Sequence, residues 1–180
     1  MTSVKGKFLI AAPRLADPNF ARAVVLMIQH GESGAVGLVI NRQSSVKVRD
    51  ALEDLEEYQH VPDVPLLIGG ATEGPLFAIH RDPELAEVEV VDGVYFCAEK
   101  YRVSRVLQDH GSAAIYIAGY AGWAQHQLES ELKEGSWLSV PARADLVFEP
   151  GRDLWGRPNI HATLGGTLDL DRIPDDPSLN

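Results

Sequence analysis

A chain of 180 residues, 45% hydrophobic and 23% charged, suits one globular domain and excludes a disordered or fibrous protein. Sixteen basic against 26 acidic residues give a net charge of −10, a field that opposes the phosphate neutralisation on which nucleic-acid binding rests. Cys97 is the single cysteine, which excludes an intrachain disulfide and a cysteine-built zinc site, and no apolar run approaches the roughly 18 residues of a membrane helix. The apolar patch at residues 8–12 stops at Pro13, too short for the core of a secretory leader, so a cytoplasmic protein without membrane contact is expected.

Residues 7–12 read as a first strand, and Asp17-Pro18 signals a turn. Residues 23–29 (AVVLMIQ) and 35–40 are almost continuously apolar and are joined by a hairpin loop, His30-Gly31-Glu32-Ser33-Gly34. Apolar runs without alternation predict strands covered on both faces. From 46 to 58, Val48, Leu52, Leu55 and Tyr58 recur every three or four residues against an acidic opposite side, which predicts an amphipathic surface helix. Residues 66–68, ending in Gly69-Gly70, and residues 76–80 are short buried strands. Residues 87–91 and 94–97 flank Asp92-Gly93, the strongest hairpin signal in the chain. A helix is expected over 99–109, and strands over 137–140 and 144–148. The domain is expected to span 1–165, with a polar, disordered tail at 166–180.

The centre of the chain is AAIYIAGYAGWAQHQLESELKEGSWL, from Ala113 to Leu138. Residues 113–118 read as a buried strand, Gly119 and Gly122 as a tight turn, and Trp123, Leu128 and Leu132 as one face of a helix ending near Gly135. A helix N-terminus at the exit of a buried strand can hold a phosphate or carboxylate, but no phosphate-loop or dinucleotide glycine pattern is present. The simpler reading is a glycine turn that packs helix on sheet. Gly69-Gly70, and Gly34 with Gly37, are further glycines at strand ends; converging ends would leave a groove of bare backbone.

The order Gly-Tyr-Ala-Gly-Trp, Gln127-Leu128-Glu129 and Gly135-x-Trp137 resembles the hallmark of the YqgE/AlgH family. The likeness reaches back through FLIAAP, DPNF, GLVIN, IGG and LFAIH, covering roughly residues 8–148. It implies a mixed, largely antiparallel sheet curling toward a flattened barrel, within the α+β class and with about three packed helices. For function, one branch of the family is linked to regulation of alginate synthesis in pseudomonads, and a transcriptional-regulator label travels with the family as a label. The chain departs from the family pattern at Thr72, at Ala124-Gln125, and after Trp155, where Gly156 and Pro158 replace an amphipathic helix.

None of the six histidines (His30, His60, His80, His110, His126, His161) forms an i, i+4 metal pair, and no Gly-x-Ser-x-Gly nucleophile turn is present. Neither a metal nor a cofactor is expected. The candidate binding set is Gly119, Tyr120, Gly122, Trp123 and Gln127, with Gly69, Gly70 and His80 opposite. The function expected is a regulatory or interaction module that binds a small ligand or a protein partner. Two alternatives stand beside it: an enzyme whose His80, His126 and Gln127 meet only in three dimensions, and a nucleic-acid-binding regulator, which the net charge disfavours.

Overall fold

A computed structural model describes residues 2–52, 61–109, 111–149 and 153–156. Ten strands are described: β1 (Lys7–Ala11), β2 (Val24–Gly31), β3 (Gly34–Val39), β4 (Gln43–Lys47), β5 (Pro65–Ile68), β6 (Thr72–His80), β7 (Val88–Val91), β8 (Val94–Cys97), β9 (Ala114–Trp123) and β10 (Trp137–Pro141). They form one sheet in the order β10-β1-β2-β3-β9-β6-β8-β7, with β5 added to β9 and β4 to β5. All pairings are antiparallel except β5 with β9. Three α-helices are described, α1 (Lys100–Gln108), α2 (Gln127–Lys133) and α3 (Ala144–Val147). The class is α+β, as expected.

The apolar runs at β2 and β3 are buried on both faces, for the reason the missing alternation suggested. Val24, Leu26 and Ile28 point to a central core shared with Phe8, Ile79 and Ile117, while Val25 and Met27 point to a second core under α2. A third core lies between α1 and the sheet, where Val103, Val106 and Leu107, spaced i, i+3, i+4, meet Ala78, Cys97 and Tyr116. The central core joins residues from β1 to β10, so the sheet bends around it. Its arms approach where Gly6, just before β1, lies against the Val90 carbonyl of β7. The sheet is nevertheless not closed into a barrel: β10 and β7 remain its two ends.

Three expectations need correction. The glycines of the central motif make no turn: β9 runs through both to Trp123, because β6 on one edge and β3 on the other hold this stretch extended. Residues 144–148 form the short helix α3 rather than a strand, since Leu146 and Val147 reach the central core from one turn. At 46–58, β4 runs into a 3₁₀ turn over Val48–Ala51; residues 53–60 lie outside the described residues. So do the expected domain boundary at 165 and the tail.

Trp155 ties the chain beyond α3 to the sheet. Its indole is 2% exposed, its Nε1–H donates to the Ala11 carbonyl at 2.7 Å, and the Arg22 guanidinium lies 4.9 Å from its ring centre. Burying an aromatic side chain of this size stabilises by about 3 kcal/mol, and the hydrogen bond satisfies the polar edge that burial would otherwise strand.

Candidate functional site

Gly119 changes which way β9 faces. Ile115 and Ile117 point to the central core, yet two residues beyond Gly119 it is Ala121, then Trp123, that enter the core under α2, while Tyr120 turns inward. The backbone at Gly119 is left-handed (φ +73°), and a Cβ there would meet the Thr72 carbonyl at 2.6 Å. The pleat of β9 shifts by one residue here, opposite a bulge in β6 where residues 73–75 face Gly119.

Gly69 and Gly70 sit where the neighbour of β9 changes from β5 to β3. The Val39 N–H donates to the Gly69 carbonyl and the Gly69 N–H to Ala118, both at 2.8 Å. A Cβ at either glycine would lie 2.2 or 2.3 Å from the backbone of Gly119 or Tyr120. The expected convergence of Gly69, Gly70, Gly119 and Tyr120 is therefore present, as main chain packed on main chain.

Past β9, His126 adopts a left-handed conformation (φ 65°) and α2 begins at Gln127. Gln127 is exposed; its Oε1 accepts from the Ala124 N–H at 3.0 Å and its Nε2 donates to Glu131 at 2.9 Å. Glu131 Oε2 in turn accepts from the indoles of Trp123 (2.9 Å) and Trp137 (2.8 Å), whose rings pack edge to face at 5.9 Å. Trp123 is buried, and its polar edge is committed to this carboxylate. Sequence reasoning passed over Glu131; its spacing four residues after Gln127 was the available signal.

His80 stands at the far end of the sheet, paired with Ala114 and Tyr95. His126 lies beyond Trp123, so the length of β9, about 30 Å at strand rise, separates the two histidines. His80, His126 and Gln127 are not brought together. His80 is 1% exposed; its Nδ1 accepts from the Asp82 N–H at 3.3 Å, and its Nε2 has no partner among the described residues. Burial holds its pKa below the ordinary imidazole value, with Asp82 opposing.

His30, not singled out from the sequence, makes the closer acid–imidazole contact. Its Nδ1 accepts from the Val4 N–H at 3.1 Å, so the neutral ring carries its proton on Nε2 and donates to Glu129 at 2.7 Å. The Glu129 carboxyl is held below its usual range by its own backbone N–H and by His30. This pair ties the N-terminal segment to α2. The Cys97 thiol is buried and pushed up to about 12, chiefly by desolvation, and is inert as a nucleophile. Among the described residues, no three His, Cys, Asp or Glu side chains cluster as a metal site would need, and no helix is long and apolar enough to cross a membrane.

A concavity with an apolar floor opens at the His80 end of β9. It encloses ≈480 Å³ over Ile40, Leu67, Ile115, Val147 and Leu154. Its rim carries Arg22, Asn41, Arg42 and Gln43 together with Glu149 and Asp153. The DPNF and GLVIN segments meet here. Arg42 donates to the carbonyls of Asn19 (2.5 Å) and Ala21 (3.3 Å); Asn41 donates to the Arg22 carbonyl (2.9 Å) and accepts from the Val24 N–H (2.8 Å). Those bonds hold Arg22 at φ 58°. Asn41 and Arg42 escaped the sequence reading, although a polar pair ending an apolar strand is where backbone ties are expected.

Comparison with known proteins fits this architecture. The sequence profile of the AlgH-like family matches residues 8–168. UPF0301 protein SCO2948 of Streptomyces coelicolor is 35% identical over 100% of this chain and 97% of its own length. UPF0301 protein CT0663 of Chlorobaculum tepidum is 31% identical over 97% and 95%. The solution structure of the AlgH protein from Pseudomonas aeruginosa superposes with a TM-score of 0.68 at 28% identity, covering 98% of each chain. Protein DIP2367 from Corynebacterium diphtheriae, at 22% identity and a TM-score of 0.69 over 94% of this chain and 91% of its own, shares the fold. The chain belongs to the AlgH-like family.

Proposed function

We propose that this protein is a regulatory module that works by binding a small ligand in the ≈480 Å³ cavity at the His80 end of β9. The cavity itself carries the reading: an apolar floor with a few polar groups at the rim, of the roughly 300–1,000 Å³ size that ligand sites occupy. Arg22 and Arg42 balance Glu149 and Asp153 in formal charge, which suits a neutral or zwitterionic amphipathic molecule. A nucleic-acid backbone fits neither this balance nor the net charge of −10. A cytoplasmic setting suits the single, free cysteine.

The test is a ligand-observed NMR screen of neutral and zwitterionic amphipathic fragments against the full chain and its Ile115→Trp variant, which fills the floor. Fragments that bind the parent and not the variant, while both unfold at similar temperatures, support the reading. Fragments that bind both equally, or a screen without hits, overturn it.

A further inference from the structure

A second concavity lies at the opposite end of β9, past the central core. Gln29 pairs with Val36 across β2 and β3, Val36 pairs with Gly122 across β3 and β9, and Thr72 pairs with Tyr120 across β6 and β9. Paired residues point to the same face of a sheet. Val36 shares that face with Leu38 and Gly122 with Tyr120, both of which pack toward the central core. The row is therefore the inner face of the bent sheet where its core runs out. It floors an open groove of ≈420 Å³, to which the Ser33 corner of the β2–β3 hairpin contributes.

The chemistry of this groove differs from that of the cavity. None of its lining residues is charged. The side chains of Gln29, Ser33, Thr72 and Tyr120 make no hydrogen bond among the described residues, so three hydroxyls and one amide face the groove uncommitted. The Tyr120 ring is half-buried, fixed edge to face against Phe77 at 6.5 Å. Gly122 is exposed, and a Cβ added there would meet only the Tyr120 ring, at 3.4 Å. An immobilised aromatic ring beside bare backbone, ringed by neutral donors and acceptors, suits a flat ligand that is hydroxylated and uncharged.

We infer that this groove binds a neutral sugar unit, with the hydroxyl and amide side chains on its hydroxyls and the Tyr120 ring against its C–H face. A uronate or phosphorylated sugar would bring a negative charge to a groove without a cation, in a protein of net charge −10. A site for neutral sugar is independent of the cavity and of whatever the cavity holds.

The experiment is a titration of the uniformly ¹⁵N-labelled full chain with cellotriose and maltotriose, alongside trigalacturonate and trialanine amide. At least one neutral trisaccharide is expected to shift the amides of residues 29–36, 72 and 120–123 in a saturable way, with trigalacturonate and trialanine amide weaker. Thr72→Val and Gln29→Ala are each expected to weaken that sugar about fivefold, the loss of one neutral hydrogen bond, without moving the unfolding midpoint. Gly122→Ala, whose backbone conformation alanine can adopt, should weaken it by raising the floor. Absence of localised shifts with either neutral sugar, equal binding of the uronate or the peptide, or unchanged affinity in all three variants overturns the inference.

Discussion

Around Gly119, β9 is packed main chain against main chain, since a Cβ on Gly69 or Gly70 would lie 2.2–2.3 Å from its backbone, whereas at Ala114 the same strand borders a cavity of ≈480 Å³. Gly69, Gly70 and Gly119 thus do their work inside the sheet, where they let β3, β5 and β6 meet on one strand. Gly122 is exposed at the strand's end. One concavity opens at each end of β9, where the central core stops. At the cavity end the polar groups are largely engaged in holding backbone, Arg42 and Asn41 among them; at the groove end they are uncommitted. A motif conspicuous in sequence can therefore mark where backbones cross, while polar side chains collect beside it.

The comparison breaks most readily at Trp155. If the segment carrying Leu154 and Trp155 is a true wall of the cavity, Trp155→Ala should cost about 4 kcal/mol, the range for a large aromatic lost from a core. The measurement is urea unfolding of the full chain; a loss below about 1 kcal/mol would show that the wall is not part of the core. Next in size is Gly119→Ala. The left-handed backbone and the contact with the Thr72 carbonyl together predict a loss of about 3 kcal/mol by the same measurement. A near-neutral outcome would mean that the bulge relaxes and that the close packing is dispensable.

The smallest effect concerns His80, beside the cavity end. Its folded pKa lies below the ordinary value of 6.5, so between the two values the unfolded chain binds a proton that the folded chain does not. Stability is then fully present above 6.5 and falls as pH drops from there through the folded value. Urea midpoints taken from about pH 8 to about pH 5 should decline in the parent and decline less in His80→Gln. Identical slopes would show that the buried imidazole does not couple to folding.

Local pattern was enough for much of the fold. The β2–β3 hairpin, the Asp92-Gly93 hairpin and α1 follow from apolar runs, turn residues and a 3.6 period, all of which act over a few neighbours. The faults lie where neighbours distant in sequence decide. Gly119 and Gly122 carry the composition of a turn, but the pairing of Tyr120 with Thr72 and of Gly122 with Val36 carries the strand on through both. Residues 144–148 are apolar enough for a strand, but Leu146 and Val147 bury together against the central core from a single helical turn. Of the candidate residues, Tyr120, Gly122 and Trp123 border the groove, while Gln127 serves as a tie to Ala124 and Glu131. His80 belongs to the other end of the sheet.

By itself, then, the order of residues determined the α+β class, the family likeness and the strands buried on two faces, since burial and turn chemistry are written in short-range periodicity. Tertiary structure alone decided that Gly119 faces a bulge in β6, that Glu131 joins two indoles, and that Arg22, Asn41 and Arg42 frame a cavity with residues from beyond α3. Those contacts join positions that share no local pattern. They exist only because the sheet bends, and the bend follows from Phe8, Ile79, Ile117 and Val140, on four separate strands, burying their side chains against one another.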